Sequence, residues 1–250
     1  MITNHTNLPE FIYQSVLYWS KHHDSGADYS VTQLLSPPRI SELQRLHGDE
    51  IVEDASSRIW SLLGSATHKV IESAIEEDTE SFISERRFFA ELSGISLSGQ
   101  VDVYDKKTKT VYDLKTTSIW EPIFEKGGVR RERTEQLNSY AWLARQEGLE
   151  VERAAAVLIF RDWSPNPPAN VRGQNREYYP KEHVREHHVD MWSNEDTEAF
   201  LRKRIYLHEK AKTEDLPFCT TEERWNNNVR CERYCNVMPF CSQYEMIKSG

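Results

Sequence analysis

Short alternating runs of apolar and polar residues occupy the middle of the chain, with helical periodicities on either side. Residues 101–105 and 110–115 are β-prone and alternating, and the polar Lys106-Lys107-Thr108-Lys109 lies between them. That pattern predicts a hairpin of two antiparallel neighbours. A strand-like run precedes it, so three strands are expected near 86–92, 97–105 and 109–116. The apolar run 154–160 predicts a buried strand. Ile59, Leu62, Leu63, Ala66, Val70 and Ala74 recur at helical spacing, predicting a helix with a core-facing stripe and His68 on or beside it. Further helices are expected over 134–146 and 194–212, with Pro165, Pro167 and Pro168 marking the loop between them. The order of helix, three-stranded antiparallel meander, helix and strand gives a mixed α/β fold class. We expect one domain over 1–250, made of a helical N-terminal region (1–56), a core (57–162), a loop with a long helix (163–213) and a cysteine-bearing segment (214–250).

The hairpin register carries the first chemical signal. If the turn is centred between Lys107 and Thr108, Asp102 lies directly opposite Asp113 on one face, and the strand period of two adds Lys115 to that face. Val101, Val103, Tyr112 and Leu114 then point to the core. Like charges directly opposite on a sheet are destabilising by roughly 0.2–1 kcal/mol, so the pair calls for a counter-charge. Hard cations such as Mg²⁺ or Mn²⁺ bind through one or two carboxylates plus water and substrate phosphate. Asp102 and Asp113 supply that anchor, and the Leu114 carbonyl adds a further ligand. Lys115 would orient or deprotonate an attacking water. Gln136 and Tyr140, four apart on the 134–146 helix, project from one face. Glu85, ahead of the first strand, is read as an exposed strand end, with a further acidic group near the metal as the alternative.

Charge changes the picture of any nucleic-acid partner. The chain has 250 residues, 38% hydrophobic content and a formal net charge of −9, which suits a sizeable α/β domain and argues against tight nonspecific binding to a polyanion. Binding would rest on the metal and on local cations. Arg130, Arg131 and Arg133, after Gly127-Gly128, are candidate phosphate contacts, and Tyr13, Tyr18, Trp19, Trp120 and Trp163 are candidate base-stacking groups. Arg202, Lys203 and Arg204, like the acidic run Glu76, Glu77, Asp78 and Glu80, are expected to lie on solvated surface.

All four cysteines fall in the last stretch: Cys219, Cys231, Cys235 and Cys241, spaced C-x11-C-x3-C-x5-C. No apolar run is long enough to span a bilayer and no signal segment opens the sequence, so a reducing cytoplasm is expected and disulfides are not. Four clustered thiols suit either a 4Fe-4S cluster or a structural zinc ion, and spacing alone does not decide between them.

Gly64-x-x-x-His68, Gly99-x-x-Asp102, Asp113-x-Lys115 and Gln136-x-x-x-Tyr140 together resemble the motif series of the PD-(D/E)XK superfamily in its RecB-like exonuclease branch. The likeness extends to the CRISPR-associated and phage-encoded RecB-like nucleases with a C-terminal cysteine cluster. The resemblance implies a restriction-endonuclease-like core and metal ligation by His68, Asp102 and Asp113. It also implies catalysis by Lys115, with Gln136 and Tyr140 lining the site or touching DNA, and it leans toward a 4Fe-4S cluster on the cysteines. The chain departs from the family where Ser36-Pro37-Pro38-Arg39 replaces an N-terminal cluster cysteine, so Cys219 would serve as fourth ligand. The implied activity is metal-dependent hydrolysis of DNA, with single-stranded ends as substrate, in recombination, repair or phage DNA metabolism of a bacterial or phage-infected cytoplasm. A metal-dependent endonuclease and a non-catalytic DNA-end-binding subunit are the alternatives, and a homo-oligomer or a recombination protein is the expected partner.

Overall fold

The computed structural model describes residues 1–21, 25–213, 216–225 and 228–249, residue 174 by its backbone alone. In chain order the elements are β1 (Ile2–Thr3), α1 (Glu10–Trp19), β2 (Tyr29–Ser30), α2 (Val31–Leu35), α3 (Pro38–His47), β3 (Glu53–Asp54), α4 (Ile59–Ile75), β4 (Phe82–Leu92), β5 (Ile95–Asp105), β6 (Thr110–Thr117), α5 (Trp120–Phe124), α6 (Arg131–Gln146), β7 (Arg153–Phe160), β8 (Val184–His188), α7 (Asn194–Thr213), α8 (Val229–Arg233) and α9 (Ser242–Ser249). The fold is mixed α/β with a mixed sheet. It divides into two compact units, one of Asp24–Val31 with Ser61–Glu198, the other of Met1–His23, Thr32–Trp60 and Ala199–Gly250.

The first unit is built on the sheet. β4 and β5 form a long antiparallel ladder from Phe82↔Asp105 to Leu92↔Ile95. β6 turns back on β5 in the register expected from the turn, with Val103↔Tyr112 and Asp105↔Thr110. That pairing stops at Val103, while the short β2 takes the same β5 edge only at Leu97 and Ser98. Residues 99–102 therefore lie between two pairings, at a split in the sheet. β6 peels away to run parallel with β7 over its whole length, Thr110↔Arg153 to Thr117↔Phe160, and β8 closes the edge antiparallel to β7. β7 is buried by small residues, Ala154, Ala155 and Ala156, as a strand inside a parallel pairing requires.

Helix α6 explains the close packing at the split. Its residues from Leu137 to Ala144 are all buried, the pattern of a helix enclosed on most sides. A Cβ on Gly99 would stand 2.7 Å from Leu143 Cδ1 and 2.8 Å from Tyr140 Cδ1, so only glycine lets β5 approach α6. Gly64 does the same for α4, where a Cβ would lie 3.3 Å from Thr116 Oγ1.

Three local expectations are corrected. No residue of α4 is buried, and Val70 is 71% exposed. The face of α4 turned toward β6 is the one that carries Gly64 and His68. Helix α6 begins at Arg131 rather than at 134, so Arg131 and Arg133 sit in its first turn. Strand β4 starts at Phe82 rather than at 86, which places Glu85 inside a strand.

The second unit holds the cysteines. β1 and β3 pair in parallel, and Ile40 and Leu43 of α3 pack with Cys219, Val237 and Cys241 as a small core. Arg204 of α7, expected on a solvated face, instead donates at 2.6 Å to the carbonyls of both Leu34 and Ser36. These are orphan carbonyls at the C-terminal end of α2, and His208 Nε2 reaches the same two at 3.1 Å.

Candidate metal centres

The sheet split brings the sequence-predicted residues of the first unit together. Asp102 and Asp113 are 9% and 1% exposed. Where β6 leaves β5, the Leu114 amide has lost its ladder acceptor and donates to Asp102 Oδ2 at 2.6 Å. Lys115 Nζ donates to Asp113 Oδ1 at 2.5 Å. Asp113 Oδ2 is buried with no hydrogen-bond partner. A buried carboxylate oxygen without a partner is costly, and the Asp113 charge acts on the neighbouring Asp102. Apart from Asp113, His68, Glu85 and Asp102 each offer an atom within 4.8 Å of the others.

His68 hangs from α4 over this group. Its Nε2 lies 3.0 Å from the Leu114 carbonyl oxygen, and its Nδ1 lies 3.2 Å from Glu85 Oε1 and 3.6 Å from Asp102 Oδ1. A carbonyl only accepts, so Nε2 carries a proton in the metal-free protein. The Glu85 hydrogen bond raises the His68 imidazole above its ordinary value against the pull of burial, and the charge of Asp102 adds to the rise. Burial first, then the Asp113 charge, push the Asp102 carboxyl well above the usual carboxylate range. The centre thus holds more negative charge than its burial tolerates.

Glu85 corrects the expectation of an exposed strand end. It has φ 47° within β4, uncommon for a residue with a side chain, and its carboxylate faces His68. Gln100 Nε2 donates to Glu85 Oε2 at 2.5 Å, and Arg87 in turn holds the Gln100 amide oxygen at 2.9 Å. Gln100 lies inside the quoted Gly99-x-x-Asp102 segment. No period or motif distinguishes Glu85 from its neighbours.

Gln136 and Tyr140 meet on α6, Nε2 donating to the phenol oxygen at 2.8 Å. Burial, then the charges of Asp113 and Asp102, push the Tyr140 phenol up. Two of the expected phosphate contacts, in the first turn of this helix, are otherwise engaged. Arg133 is half-buried and forked onto Glu121 at 2.5 and 2.7 Å, with Thr117 donating to the same carboxylate at 2.6 Å. Arg131 pairs with Glu135 at 2.7 Å. Of the aromatic candidates, Trp120 stacks on the exposed Phe124 of α5 at 5.6 Å between centroids, directly after β6.

Comparison with known proteins bears on the fold alone. No family model matches the chain, and no curated protein matches it. A solved structure, the crystal structure of SSO0001, is similar over 93% of this chain and 95% of its own, with a TM-score of 0.59 and 18% sequence identity. The two chains share a fold. Within that shared fold, none of the helices described here is long and apolar enough to cross a membrane.

The four cysteines form a separate group in the second unit. All are free thiols, Cys219 and Cys241 buried and Cys231 and Cys235 half-buried, and all four line one cavity together with Arg39 and Arg230. Gln243 fixes the first of them, accepting from the Cys219 amide at 2.8 Å and donating to its carbonyl at 2.9 Å. Burial pushes the Cys219 thiol up to about 12 and also raises Cys231 and Cys235.

Proposed function

We propose that this chain is a divalent-metal-dependent nuclease with a restriction-endonuclease-like core, hydrolysing phosphodiester bonds at single-stranded DNA ends. The observation that carries the reading is the buried, unpartnered Asp113 Oδ2 beside the convergent His68, Glu85 and Asp102. Asp102, Asp113, His68 and the Leu114 carbonyl would hold Mg²⁺ or Mn²⁺, with Glu85 orienting the imidazole through Nδ1. When bound, such an ion acidifies its water and polarises a phosphoryl oxygen. Lys115 Nζ, already on Asp113, orients the attacking water and offsets charge developing on the phosphate. Gln136 and Tyr140 wall the site against bulk water and offer the phenol as a donor to the substrate.

The cysteines are read as ligands of a second, structural centre, a 4Fe-4S cluster. The lean toward the cluster over a structural zinc ion rests on the family resemblance of the motif series.

The test is degradation of end-labelled single-stranded DNA with Mg²⁺ or Mn²⁺. Wild-type protein should cut, and Asp113→Ala and Lys115→Ala proteins of unchanged circular dichroism should lose activity by at least about 100-fold. A metal-loaded wild-type protein that cuts no DNA overturns the reading. Equal cutting of a circular single strand would convert it to an endonuclease.

A further inference from the structure

Among the described residues, the hydrogen-bond partners of the buried cation Arg39 are all formally neutral. Arg39 lies on α3 and is 4% exposed. Its Nε donates to Cys241 Sγ at 3.3 Å, one terminal nitrogen donates to the Leu216 carbonyl at 2.9 Å, and the other to Ser242 Oγ at 2.7 Å. The Phe218 ring covers it at 5.2 Å from the centroid. Among the described residues no carboxylate pairs with it, and Glu42, the acidic residue of the same helix, is bound to Arg45 at 2.6 Å. A guanidinium does not deprotonate in proteins, so the charge is permanent. A buried permanent charge demands a buried opposite charge. A neutral thiol does not supply one, and a thiolate accepts a charge-assisted hydrogen bond readily.

We propose that Arg39 is the internal counter-cation of an anionic centre held by Cys219, Cys231, Cys235 and Cys241, and that its charge sets how firmly that centre is retained and how readily it takes up an electron. This rests on the reading of the four cysteines as metal ligands. Four thiolates around a doubly charged metal core leave a dianion, and Arg39 neutralises part of it while its Nε–H donates to the sulfur of Cys241. For a 4Fe-4S centre, one-electron reduction by an external reductant such as dithionite adds a further negative charge, which a fixed cation in contact with a ligand sulfur favours. Arg39 is thus a positioning residue of the cysteine centre and takes no part in DNA hydrolysis.

The experiment compares anaerobically purified wild-type, Arg39→Gln and Arg39→Lys proteins. The readouts are iron and zinc content, the rate of metal release to a chelator, and, for iron-loaded protein, a potentiometric titration of the visible band. Arg39→Gln should release metal at least tenfold faster. Its reduction equilibrium should fall about tenfold, a shift of about 59 mV to more negative potential for one electron. Arg39→Lys keeps the charge without the fork and should stay within about threefold of wild type. If wild-type protein holds neither iron nor zinc, the cysteine-centre reading fails and takes this proposal with it. If wild type is loaded and Arg39→Gln matches it in both release and potential, Arg39 alone is overturned. If Arg39→Gln does not fold, Arg39→Lys decides: metal retained near the wild-type rate supports the charge role, and metal lost tenfold faster overturns it.

Discussion

At the scale of single residues, the candidate active site stores a charge conflict that a bound cation would resolve. Asp113 is buried beside Asp102, one of its oxygens has no partner, and the neighbouring carboxyl is pushed up by burial and by that same charge. Removing the Asp113 charge should therefore destroy the protein's response to metal, while in chelator the relief of Asp102 is offset by the loss of the Lys115 partner. For wild type we expect thermal melts to shift upward in excess Mg²⁺, and for Asp113→Asn the shift should disappear. A variant still stabilised by Mg²⁺ to the wild-type extent would sink the idea. Not every residue of the site was legible in the sequence. Asp102, Asp113 and Lys115 were, because a hairpin with a four-residue polar connection fixes register, and register fixes face. Glu85 was legible only as an alternative to an exposed strand end, because its carboxylate reaches His68 through a left-handed backbone at φ 47° that no side-chain pattern announces. Arg39 was noted only as occupying a place without a thiol, since burial of a lone cation is invisible to composition.

At the scale of elements, the strands that could be read were those with apolar alternation or apolar runs. β8 reads Val-Arg-Glu-His-His and β2 has two residues. Both pair at edges through backbone hydrogen bonds, and neither carries a periodic signal. Helix α5 was equally hidden, yet it secures the helix behind the site. Glu121 of α5 and Arg133 of α6 form a buried pair, 2% and 14% exposed at their side chains. Burial alone would raise the Glu121 carboxyl, but the Arg133 hydrogen bonds and charge, with Thr117, hold it below its ordinary value. A carboxylate with a depressed folded pKa gives stability that is present above the unfolded value of about 4.3 and is lost as pH falls through the folded value. Glu121→Gln should therefore cost on the order of 3 kcal/mol near neutral pH, the scale of leaving one partner of a buried pair alone. The gap to wild type should narrow as pH falls from about 7 toward about 3. Urea midpoints across that range test this, and a gap that stays constant would contradict it.

At the scale of the whole molecule, two compact units carry two chemically different centres. Oxygen and nitrogen donors gather in the unit of the sheet, and sulfur donors in the unit of α3, α8 and α9. Ligand binding stabilises what it binds by an amount set by concentration over affinity, about 2.7 kcal/mol at a hundredfold excess over Kd. Mg²⁺ at that excess should slow amide exchange about 100-fold where exchange requires opening of β5, β6 or α4. The cysteine centre should act elsewhere. Ile40, Leu43, Val237 and two of the cysteines make one small core, against which Ile51, Leu216, Cys235, Phe240 and Tyr244 pack only partly buried, so a metal on the cysteines would add to the order of that segment. Structural metal sites contribute folding energy directly, and raised thiol values such as that of Cys219 mean that protons must leave before metal enters. Metal removal, or Cys235→Ser, should accelerate exchange across 38–47 and 229–249 and leave the Mg²⁺ protection of β5 and β6 in place. Hydrogen exchange read by mass spectrometry separates the two. Mg²⁺ protection that vanished with the cysteine metal would show instead that the two centres depend on one another, and a metal-free Cys235→Ser protein with wild-type protection over 229–249 would remove the structural role from the cysteines.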